Sequence, residues 1–146
     1  MNNSANPVEA TLQAYQAAVH ARDLAALCAL YADDVEIFDA WDQWTYQGLA
    51  AWRHAVAAWF DGLGTDRMRV EIHELHAHVA ADIAAGHAIV TYAAESPAGE
   101  RLRALDNRIS LVLRKMHDGW KIVHEHTSSP ADFRSRVVQL QRPPAA

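Results

Sequence analysis

The sequence predicts an α+β fold: three N-terminal helices followed by an antiparallel β-meander. Two observations carry this. Apolar residues recur at helical spacing as far as residue 63, and from Met68 onward the pattern changes to β-like segments divided by turn residues. Asn6 can cap the first helix, Pro7 suits its first position, and Glu9 stands where a capping box needs it. Val8, Leu12, Tyr15 and Val19 then lie on one face. Asp23 can cap a second helix carrying Leu24, Leu27, Leu30 and Tyr31, ended by Asp33-Asp34. Val35 to Phe38 alternates like a short strand. After Gly48, the residues Leu49, Trp52, Val56, Trp59 and Leu63 form the inner stripe of a third helix, stopped by Gly62 and Gly64. Four β-like segments follow, at 68–80, 83–96, 101–117 and 120–128. Turn residues at Ala81-Asp82, Ser96 to Gly99 and Asp118-Gly119 separate them. Such a sheet buries one face against the helices and must curve to wrap them, leaving a space suited to a ligand.

The 146 residues fit a single domain, 1–146, with a core at 7–130 and a flexible tail from about 138 to 146. Thirteen Lys and Arg against 18 Asp and Glu give a net charge of −5, which argues against nucleic acid as a partner. The single cysteine, Cys28, excludes an internal disulfide and a cysteine-based zinc ribbon. No run approaches the ~18 apolar residues of a membrane span. Met1 to Pro7 shows no basic stretch followed by an apolar one. The expectation is a cytoplasmic protein without membrane contact, metal or cofactor.

Two residues stand out chemically. Asp39 follows the short strand among Phe38, Ala40 and Trp41, where desolvation would disfavour the charged carboxylate and improve it as a base. Its plain alternative is a loop aspartate that caps a turn. Tyr15 lies on the inner stripe of the first helix, so its hydroxyl needs a partner inside the domain: a ligand oxygen or, more plainly, a backbone carbonyl.

The stretch from Tyr15 to Asp23, Tyr31-Ala32-Asp33-Asp34, and Asp39 to Gly48 together resemble the nuclear-transport-factor-2-like superfamily. They are particularly similar to its ketosteroid isomerase and SnoaL-like branches. The ending Asp118-Gly119-Trp120-Lys121-Ile122-Val123-His124-Glu125-His126-Thr127-Ser128 is similar to the SnoaL-like C-terminal strand. It also resembles the association domain of calcium/calmodulin-dependent protein kinase II. The resemblance spans about residues 8–130. It implies a cone in which a strongly curved, cystatin-like sheet wraps the helices, often paired into dimers. It also implies a general-base role for Asp39 and an oxyanion role for Tyr15. The isomerases add a protonated aspartate on the third meander strand, and here that position falls on Leu111 or Ile109, neither of which can donate. The arginines of the kinase hub pocket would match Ala93, Leu111 and Thr127, and Trp52 replaces a pocket histidine. The implied pocket is therefore apolar and aromatic.

His76-x-His78 and His124-x-His126 are spaced to project from one strand face. They belong to the first and fourth meander strands, three interstrand steps or about 14 Å apart, too far for one ion with ~2 Å bonds. By the resemblance Glu125 and Thr127 face the pocket, leaving His124 and His126 on the outer face or at a dimer contact, unless a β-bulge reverses them.

Three functions follow as expectations. One is a small-molecule enzyme in which Asp39 or Glu125 moves a proton next to a carbonyl and Tyr15 holds the oxyanion. The second is a non-catalytic binder holding an apolar compound on Trp41, Trp52, Leu111 and Thr127. The third is an association domain. A homodimer is expected through an outer-face patch of Ile122 and Val112 among His124, His126, Arg108 and Ser110.

Overall fold

The computed structural model describes residues 6–144; the stretch 1–5, where no leader was read, and the last two tail residues lie outside the described residues. Helix α1 spans Pro7–Ala21, and the Asn6 side chain accepts the Val8 N–H at 3.0 Å, satisfying a first-turn donor. Val8, Leu12, Tyr15 and Val19 are buried, as their spacing predicts. Helix α2 is short, Leu24–Cys28, capped by the Asp23 carboxylate. Leu30 and Tyr31 are not helical, which corrects the expectation for the second helix. The Leu30 carbonyl instead accepts the Ile122 N–H at 2.8 Å, and Tyr31 opens strand β1, Tyr31–Phe38. Pairing with a distant strand outweighs helical spacing, because propensity is a weak prior beside tertiary contacts.

A two-residue strand β2, Tyr46–Gln47, pairs antiparallel with β1 and precedes helix α3, Leu49–Gly62. The meander consists of β3 (Arg67–Val79), β4 (Ile83–Glu95), β5 (Arg101–Met116) and β6 (Gly119–Ser128). Its boundaries fall within one or two residues of those predicted. The six strands form one curved, unclosed sheet in the order β2-β1-β6-β5-β4-β3, with β1 parallel to β6 and every other pairing antiparallel. Helix α1 packs on β3, β4 and β5, and α3 on β1 and β2. The first turn of α1 sits so close to the sheet that a Cβ on Gly86 would lie 2.5 Å from Val8 Cγ1 and 3.0 Å from the His76 carbonyl oxygen. Only glycine permits that approach.

A β-bulge decides which face each β6 residue takes. Val112 pairs with His124 while Leu113 pairs with Ile122, so Val123 is the extra residue. Ile122 therefore turns into the core, 1% exposed, and leaves the outer-face patch predicted to contain it. Beyond the bulge, alternation sends Glu125 and Thr127 inward, 3% and 4% exposed, and His126 outward. Residues 138–142, expected as a loose tail, are instead held against β5. The Asp106 N–H bonds the Leu140 carbonyl at 2.7 Å, and the Arg142 N–H bonds Asp106 Oδ2 at 3.0 Å. Among the described residues no helix is long and apolar enough to cross a membrane.

Candidate active site

A cavity of about 860 Å³ opens between the helices and the inner face of the sheet. Strand periodicity explains which side chains reach it. On β1, Val35 and Ile37 point inward and Glu36 and Phe38 outward, so the next residue, Asp39, returns to the inner side. The parallel register Ile37 to Glu125 and Phe38 to His126 then brings Asp39 beside Thr127. The Thr127 hydroxyl donates to Asp39 Oδ1 at 2.8 Å and accepts the Ala40 N–H at 2.9 Å, tying the loop after β1 to β6. Asp39 is half-buried. Burial pushes its carboxyl above the usual aspartate value, while the Thr127 hydroxyl and the N–H groups of Trp41 and Ala40 pull the other way.

Glu125 lies deeper and accepts the Tyr31 hydroxyl at 2.8 Å. Burial raises its carboxyl to about 7; the Tyr31 bond opposes this and the charge of Asp39 adds to it. The two carboxyls thus differ in environment: Asp39 has several donors and some solvent, whereas Glu125 has one donor and none. Burial therefore raises Glu125 further than Asp39, and its carboxyl keeps a proton to higher pH.

Tyr15 reaches the cavity from α1, and its hydroxyl meets that of Tyr92 on β4 at 3.0 Å rather than a backbone carbonyl. Burial, then the neighbouring ionisable groups, holds the Tyr15 phenol well above its ordinary value, so both hydroxyls stay protonated. One proton links the pair and the other is left for a ligand oxygen. The walls are aromatic. Trp52 stands edge-on to Tyr46 at 5.3 Å and to Tyr31 at 6.2 Å, and Trp59 to Tyr92 at 5.9 Å. The Trp52 indole N–H lies by the Tyr31 oxygen, where it would favour a phenolate, without reaching hydrogen-bond geometry. No Lys or Arg is among the described residues lining the cavity, which carries Asp39, Asp42 and Glu125. The lining thus sets acidic groups and no Lys or Arg on a wall that is otherwise largely aromatic and aliphatic.

The structure brings Asp39, Tyr15, Glu125, Trp41, Trp52 and Thr127 together on this cavity. Leu111 is the exception. It pairs with Glu125 across β5 and β6 but is 2% exposed within the hydrophobic core and does not line the cavity. Sequence reasoning missed Tyr31, Tyr92 and Asn107. The signal for the last two was present: they interrupt the inward-facing series Ala88, Val90 and Leu105, Ile109 with polar groups. Trp41 lines the cavity, whereas Trp44 in the same loop is 96% exposed. The histidine pairs remain on the outer face, where His76 stacks on His87 and a His124 ring nitrogen bonds the Glu36 carbonyl. Among the described residues no three His, Cys, Asp or Glu side chains form a group that could hold a metal ion.

Three helices on one curved, unclosed sheet of this strand order define the fold class of the chain. Residues 8–132 match the SnoaL-like domain, and the chain belongs to that family. Among solved structures it is similar to an NTF2-like protein of unknown function from Pseudomonas putida (26% identity, 94% of each chain covered, TM-score 0.82). It is also similar to a ketosteroid isomerase-like protein from Erwinia carotovora atroseptica (24% identity, 89% of this chain and 100% of that one, TM-score 0.66). A third likeness is to a calcium/calmodulin-dependent protein kinase II association domain from Xanthomonas campestris (17% identity, 83% and 84% covered, TM-score 0.70). No curated protein matches the chain.

Proposed function

We propose that the protein is a small-molecule enzyme that moves a proton next to a carbonyl on an apolar substrate. The observation that carries this reading is the pair of carboxyls on one aromatic cavity, Asp39 half-buried and bonded by the Thr127 hydroxyl, Glu125 buried with the Tyr31 hydroxyl as its donor. The Asp39 carboxylate takes the α-proton, and the electron pair of the broken C–H bond moves onto the carbonyl oxygen as an enolate. Protonated Glu125 and the free proton of the Tyr15–Tyr92 pair are the donors available to that oxygen. Return of the proton from Asp39 to carbon completes the cycle without redox chemistry.

The experiment is exchange of the α-hydrogens of a cyclic ketone such as 1-tetralone in D₂O, followed by NMR. The native protein should accelerate exchange above buffer. Quenching of Trp41, Trp52 and Trp59 fluorescence by the ketone without any acceleration would put the binder reading first.

We further propose a second copy of the chain as partner, through the outer sheet face. The half-exposed Ile89 and Val112 lie there among Arg108, Ser110, His124 and His126. Light scattering should give twice the chain mass at micromolar concentration, and a monomer would refute this.

A further inference from the structure

Asn107 is 6% exposed, lines the cavity from β5, and its Oδ1 is buried without a hydrogen-bond partner. A buried amide oxygen left unpaired is costly, and nearly all such atoms in folded proteins find a partner. The inward positions on either side of it along β5, Leu105 and Ile109, are apolar, as are Leu111 and Leu113 beyond. An apolar residue would therefore continue the series without penalty, and the amide has no role in holding the sheet. Its place relative to the carboxyls is set by the register. Ile109 stands opposite Thr127 and Leu111 opposite Glu125, so Asn107 lies one inward position beyond Thr127, on the side away from Glu125. That offset is about 7 Å along the strand.

We propose that Asn107 is a specificity residue that pairs with a hydroxyl group on the substrate. The ligand class is then an apolar ketone that carries a hydroxyl away from its reacting carbonyl. A hydroxyl both donates and accepts, so it satisfies the carboxamide in either orientation. This inference rests on the proton-transfer reading of the same cavity and adds the second polar group its substrate must have. Discrimination of this kind is strong for a simple reason: a ligand lacking the hydroxyl leaves the buried amide unpaired in the complex.

The test compares 6-hydroxy-1-tetralone with 1-tetralone, titrated against native protein by quenching of the cavity tryptophans. The hydroxylated ketone should bind about tenfold more tightly, the effect of one net hydrogen bond. Asn107→Leu, which replaces the unpaired amide with an apolar side chain of the same branching, should bring the ratio close to one. Equal binding of the two ketones to native protein, which needs no variant, would overturn the role of Asn107 and leave the proton-transfer reading standing. So would a ratio that survives in Asn107→Leu. Failure of both ketones to bind would instead overturn the apolar-carbonyl reading itself, and this inference with it.

Discussion

Asp39→Asn is expected to slow α-hydrogen exchange by about 10²–10⁴-fold, the contribution typical of a positioned general base. Affinity for the ketone should change by less than about threefold, because an interaction used only in proton abstraction is removed. The variant keeps the local geometry: an asparagine Oδ1 can still accept the Thr127 hydroxyl, and Thr127 can still accept the Ala40 N–H. What disappears is basicity. The negative charge that raises Glu125 disappears with it, so the remaining carboxyl becomes a weaker proton acceptor as well. Exchange unchanged in Asp39→Asn would remove Asp39 from the chemistry.

Glu125→Gln should stabilise the protein, and by an amount that depends on pH. The Glu125 carboxyl sits at about 7 in the fold against an ordinary value of 4.5. Between those two pH values the folded chain holds a proton that the unfolded chain has lost, so stability falls as pH rises. The penalty is small below 4.5, grows to about pH 7 and is constant above it, reaching about 3 kcal/mol. Glutamine retains an acceptor for the Tyr31 hydroxyl and cannot ionise. The melting temperature of Glu125→Gln minus that of the native protein should therefore grow by about 6–12 °C between pH 4.5 and pH 8, for a chain of this size. A difference independent of pH would mean that Glu125 is not kept protonated by burial.

Much of this site was legible in the residues. Alternation along β1 and the resemblance both put Asp39 on the inner side, and the stripe of α1 aimed Tyr15 the same way. Tyr31 was not legible. Its place in β1 depends on Ile122, some ninety residues away, and local spacing reads the same residues as helix. The bulge at Val123 leaves no local trace either, yet it alone sends Ile122 into the core while His124 and His126 face out. Leu111 shows the limit of positional matching. Its neighbour across the ladder, Glu125, lines the cavity, whereas Leu111 itself belongs to the hydrophobic core. Asn107 lay in plain alternation, but its significance appears only once the amide is known to be buried and unpaired.

The central claim is that the two cavity carboxyls titrate apart, Asp39 losing its proton at lower pH than Glu125, which burial raises to about 7. Carbon-13 NMR titration of the carboxyl resonances measures this without knowledge of the substrate, with Asp39→Asn and Glu125→Gln providing the assignments. The account predicts a Glu125 midpoint near 7, an Asp39 midpoint below it, and a lower Glu125 midpoint in Asp39→Asn. A Glu125 midpoint near 4.5, or an Asp39 midpoint above that of Glu125, would contradict it.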